Sequence, residues 1–147
     1  FLEAKNMSEG LKTKTVTIED GRDKGKVFKI TEMPAIQADE WAHRLLEQAA
    51  NSGVNLKDVD VLNLDTKSMA GMIEIGAAVF TVLGRIPHEI SRELKFDLLD
   101  RCVQIVPKSG EPRMCMWDQE IKDFKNFTIL AAHAIGIHID FLEQGEA

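Results

Sequence analysis

The residues of this chain that could do chemistry are few and scattered. The segment Gly21-Arg-Asp-Lys-Gly-Lys-Val27 has the glycines and lysines of a phosphate-binding loop. Such a loop ends in Gly-Lys-Ser/Thr, so that backbone amides cradle phosphates and a hydroxyl meets the metal. Here Val27 follows Lys26, and the spacing is wrong. A polar turn between two strands explains the same glycines more simply. The histidines are His43, His88, His133 and His138. His133 and His138 miss the three-or-four spacing that puts two metal ligands on one helix face. Cys102 and Cys115 are too few for a disulfide scaffold, and no Cys-x-x-Cys exists. A hairpin around residues 107–112 would bring them near one another, but they read as free, buried thiols of a reducing compartment. Ser52, Ser68, Ser91 and Ser109 sit in no nucleophile motif. The carboxylates fall mostly on polar helix faces. The expectation is a protein with no catalytic residue, no metal and no cofactor, whose work is binding.

Composition narrows the class of partner. The chain has 147 residues, 44% hydrophobic and 29% charged, which suits an ordinary soluble domain. Net charge is −6, which disfavours nucleic acid, since a clustered basic face supplies most of that affinity. The first thirty residues run the other way, with seven Lys/Arg against five Asp/Glu. That makes a mildly basic arm, either merely solvated or suited to an acidic partner surface. No apolar stretch reaches the roughly 18 residues of a membrane helix. Phe1-Leu-Glu-Ala-Lys-Asn6 lacks the features of a signal peptide. Met7 reads as a natural start, with residues 1–6 an appended remnant and residues 1–14 a polar leader. Residues 15–147 then form a single domain.

The elements follow from periodicity and punctuation. Thr15–Ile18 and Lys26–Glu32 read as two strands joined by the polar turn Asp20–Gly25. Met33-Pro34 stops the second strand and opens a helix over Ala35–Asn51. Its stripe is Ile36, Trp41, Leu45, Leu46 and Ala49, and Gly53 caps it. Val54–Asp65 reads as a loop. Lys67–Leu83 is apolar almost all round, with close-packing Gly71 and Gly76, as in a central buried helix. Gly84 closes it, and Pro87 opens another helix to Arg101 with the stripe Ile90, Leu94 and Leu98. Cys102–Val106 and Arg113–Trp117 flank a Pro/Gly turn as a second small hairpin. Asp118 is expected to cap a last helical region whose stripe includes Ile121, Phe124, Phe127 and Leu130, with a break near Lys125-Asn126. The fold class is therefore α+β and helix-dominated: an N-terminal β-hairpin, then about four to five packed helices. Trp41, Ile73, Val79, Phe80, Leu94, Leu98, Phe127 and Leu130 should be largely buried.

The run G-R-D-x-G-K-x-F-x-I-T-E-M-P-A, followed by A-x-x-W-A-x-R, resembles the N-terminal signature of phage tail assembly chaperones of long-tailed, siphovirus-type phages. Pro87-His-Glu-Ile-Ser-Arg-Glu-Leu94 with Leu98-Leu-Asp-Arg-Cys-Val103 resembles the middle of that family, and Phe124–Leu142 its C-terminal helical segment. The similarity spans about Val16–Glu143. The resemblance implies a protein that binds the tape measure protein, keeps it soluble and helps the tail tube protein polymerise around it. It implies action in the host cell cytoplasm and absence from the finished virion. Family members often have a longer form made by a programmed frameshift.

Two other readings compete. One is a structural virion or head–tail completion protein. The other is a small DNA-binding regulator with a helix-turn-helix, which the acidic charge and the lack of a basic recognition helix disfavour. Partner-binding candidates fall in two groups. Arg22, Lys24, Lys26 and Phe28 join charge to an aromatic at an exposed connection. The competing reading turns Phe28 inward onto Ile30 or Val16 and leaves the lysines to solubilise an edge strand. Met33, Met69, Met72, Met114 and Met116 either fill the core or make a pliable surface for an apolar partner segment, with Met69, Met72 and Phe141 as the candidate contacts. The apolar helix and the long C-terminal stripe carry more apolar surface than a small domain hides, so self-association is expected.

Overall fold

The computed structural model describes residues 10–53, 71 and 81–139. Its strands are β1 (Thr13–Thr17), β2 (Val27–Thr31), β3 (Val103–Val106) and β4 (Arg113–Met114). Its helices are α1 (Ala35–Asn51), α2 (His88–Cys102), the single turn α3 (Trp117–Glu120) and α4 (Lys125–Ile139). Residues 81–85 are also helical. The class is helix-dominated α+β.

The expected hairpins form, but they are not separate. β1 pairs antiparallel with β2, placing Val16 opposite Phe28. β2 in turn pairs antiparallel with β3, with Phe28 opposite Ile105 and Ile30 opposite Val103. β3 then pairs with the two-residue β4. The result is one four-stranded sheet in the order β1-β2-β3-β4. Strand alternation sorts its two faces. Phe28, Ile30, Val103, Ile105 and Cys115 are buried against the helices. The other face carries Thr13, Thr15, Thr17, Lys29, Gln104 and Met114, which are half-buried or exposed.

Proline sets the start of two helices. Pro34 and Pro87 occupy the N-cap positions of α1 and α2 in extended conformation. The N–H groups of Gln37 and Ala38 donate to the Pro34 carbonyl, and those of Ile90 and Ser91 to that of Pro87. α1 covers its expected span. Its stripe is narrower than expected: Trp41 and Ala49 are buried, Leu45 packs against the core, but Ile36 is 80% exposed and Leu46 is exposed too. The indole N–H of Trp41 donates to the Leu94 carbonyl at 3.0 Å. The Arg44 guanidinium reaches Glu93 and Asp97 of α2. Packing and charge thus fasten α1 to α2.

Leu94, Leu98 and Leu130 are buried as expected, and Phe127 is half-buried between Phe96 and Trp117 in edge-to-face contacts of 5.5 and 6.2 Å. Ile73, Val79 and Phe80 lie outside the described residues. Phe124 departs from its stripe and is 86% exposed. The reason is the chain break before α4: Ile121–Phe124 are not helical, so helical spacing does not carry Phe124 to the core. His138 closes the other end of α4. Its Nε2 accepts the Met33 N–H at 2.8 Å, so Nδ1 carries the proton and donates to the Ala134 carbonyl.

Candidate partner-binding surface

The signature segment 20–26 is built as a clasp between the sheet and α4. Gly21 and Gly25 both have positive φ, 79° and 89°, which glycine adopts at no steric cost. The Gly25 N–H donates to Ile18 and the Ile18 N–H to the Lys26 carbonyl, closing the loop at the end of β1 and β2. That geometry turns the Asp23 side chain inward, where it is fully buried. Its carboxylate accepts the backbone N–H groups of Lys122 and Asp123, the amide of Asn126 at 2.8 Å and the Lys26 ammonium at 2.9 Å. Asp23 thus satisfies backbone donors just ahead of α4, the role expected of Asp118. Burial opposes its charge, but the N–H donors of Asp123 and Lys122, with Lys26 and Asn126, outweigh it and hold the carboxyl well below the usual range.

The basic candidates are distributed around this clasp. Lys26 also donates to the Glu120 carbonyl, so its charge is turned into the structure. Arg22 points outward but is held: its Nε meets Asp123 at 2.7 Å, and its NH2 group donates to the Lys122 carbonyl. Lys125 pairs with Asp20 on the same rim. Lys24 is exposed. Phe28 is 0% exposed, opposite Val16 and among the core residues. That corrects the reading of Phe28 as a contact residue. β2 is a central strand between β1 and β3, so one of its faces must be core. Met69, Met72 and Phe141 lie outside the described residues.

Other large apolar side chains are exposed, two of them among the methionines weighed as a pliable surface. Met114 is 66% and Met116 50% exposed, beside the short edge strand β4. Phe124 and Ile36 are likewise large apolar groups in water. Cys102 and Cys115 are free and buried, and burial pushes both thiols up to about 12. His133 is half-buried, and burial, helped by the charge of Lys14, lowers its pKa to about 4. No described helix is long and apolar enough to cross a membrane.

The site therefore offers polar fastening, exposed thioethers and aromatics, and inert thiols. A model of the phage tail assembly chaperone proteins matches residues 24–138. The chain belongs to that family. The match contains Lys24, Lys26 and Phe28 and begins just after Gly21, Arg22 and Asp23. It runs through both proline-started helices and nearly all of α4. Comparison with curated proteins and with solved structures yields no match.

Proposed function

We propose that this tail assembly chaperone family member acts without catalysis, binding the tape measure protein in the host cytoplasm and keeping it soluble while the tail tube protein assembles around it. The observation that carries the reading is the family match over residues 24–138. The exposed Met114, Met116 and Phe124 support it, because thioethers and aromatics adapt to apolar stripes of varied shape. Lys24 and the outer face of Arg22 stand at the surface as polar contacts. Met69, Met72 and Phe141 are proposed as further apolar contacts. Self-association would present several such surfaces to one long polypeptide and raise avidity without new contacts.

On this reading the protein is absent from the finished virion. Co-expression with the cognate tape measure gene, followed by affinity purification through this chain, tests the reading. The tape measure protein is expected to co-purify, and purified particles should lack this chain. A tape measure protein that never co-purifies, together with this chain in washed virions, would instead support a structural virion component.

A further inference from the structure

A half-open cleft of about 380 Å³ lies between the start of α2, the start of α4 and residues 83–86. Ile86 and Ala131 are buried at its base, with the half-buried Phe96 beside them. His88, Arg92 and Lys95 line it as well, and none of its lining residues is Asp or Glu. In a chain of net charge −6, that is a local reversal of sign.

Arg92 and Lys95 of the cleft meet rings rather than carboxylates. The Arg92 guanidinium sits 5.6 Å from the Phe96 ring centre, and the Lys95 ammonium 5.6 Å from that of Phe127. Four other arginines are paired: Arg22 with Asp123, Arg44 with Glu93 and Asp97, Arg101 with Asp97, and Arg113 with Glu120, while Arg85 is exposed to water. Among the described residues, neither Arg92 nor Lys95 forms an ion pair. Lys95 is also half-buried, and the burial lowers its pKa. A partly desolvated cation without a counter-charge gains most from an anion brought to it in a water-excluding contact.

We propose that this cleft seats an acidic, apolar segment of the tape measure protein: a bulky aliphatic or aromatic side chain on Ile86, Phe96 and Ala131, with a neighbouring Asp or Glu between Arg92 and Lys95. The inference rests on the functional reading above and names where the partner is held. An apolar base selects a peptide side chain over a free phosphate, which such a base cannot solvate. The cleft is also too small and too apolar to track a nucleic-acid backbone.

The test uses the full chain and full-length tape measure protein, with binding measured by titration at low and moderate salt. Arg92→Gln with Lys95→Met removes both charges and keeps the side-chain stems. Thr128→Trp fills the cleft without touching charge. Lys108→Gln is the control, an exposed cation outside it. Both cleft variants should weaken binding at least about tenfold, the salt dependence should fall in the double variant only, and the control should match wild type. Circular dichroism and urea midpoints establish that each variant is folded. Wild-type binding matched by folded cleft variants would overturn the cleft and leave the chaperone reading standing. Cleft variants that lose self-association but still hold the tape measure protein would make a second copy the occupant and also overturn the proposal. No binding by wild type would overturn the functional reading itself, and the cleft proposal with it.

Discussion

At the scale of single residues, Asp23 carries more than any of the cations beside it. It is fully buried and serves four donors. Asp23→Ala leaves those donors and the Lys26 charge without their acceptor, and it should cost about 3 kcal/mol or more in urea unfolding. Lys26→Ser should also destabilise, whereas Lys24→Ser should leave the unfolding midpoint unchanged. Joint replacement of Arg22, Lys24 and Lys26 is therefore not a neutral surface change. Acid should act in two windows. His133 is held to about 4 in the fold, below its ordinary value of about 6.5. The unfolded state then binds more protons, so stability is fully present above about pH 6.5 and declines as pH falls toward 4. Asp23 also has a lowered pKa. Its contribution is present above about pH 4 and is lost as pH drops further, through the folded value. Urea midpoints across pH 3–8 should show both declines, and His133→Leu should flatten the upper one. The two thiols, pushed up to about 12 by burial, should resist alkylation at pH 8 until denaturant is added.

At the scale of elements, local chemistry was legible and long-range pairing was not. α1 was readable because Pro34 and Gly53 bracket a periodic stripe. Both hairpins were readable from their turns. Nothing local announced that β2 pairs with β3, because residues 27–30 and 103–106 meet only when the helices between them pack. For the same reason Phe28 could be misread as exposed: which face of a strand is buried depends on what lies beyond it. The Asp23 clasp joins positions about a hundred apart, and no short spacing encodes it. Of the candidate site, the polar turn was visible as a motif, but its role as a fastening was not. Phe28→Ala should cost about 3–5 kcal/mol. The two turn glycines should differ. A Cβ on Gly25 meets nothing within 4 Å, while one on Gly21 collides with the Asp123 carboxylate that Arg22 holds. Gly25→Ala should cost about 1 kcal/mol from its positive φ alone. Gly21→Ala should cost more and weaken the Arg22–Asp123 contact. Chevron or equilibrium unfolding of the pair, side by side, checks the order.

At the scale of the whole molecule, the fold is helix-dominated α+β with large apolar groups left in water among the described residues, and the chain belongs to the phage tail assembly chaperone family. Ile36, Met114, Met116 and Phe124 are large apolar side chains with half or more of their surface exposed. A chain that evolves to cover another protein's apolar stripe keeps such groups, and it also tends to associate with itself. Light scattering at tens of micromolar should therefore report species larger than a monomer, and a strict monomer at that concentration would count against self-association. The central claim is that this chain keeps the tape measure protein in solution. The direct measurement is the soluble fraction of the tape measure protein after lysis and high-speed sedimentation, expressed alone and with this chain. The account predicts a tape measure protein that pellets alone and stays in the supernatant when this chain is present, with Asp23→Ala, by destabilising the fold, weakening the effect. An equal soluble fraction with and without this chain would contradict it.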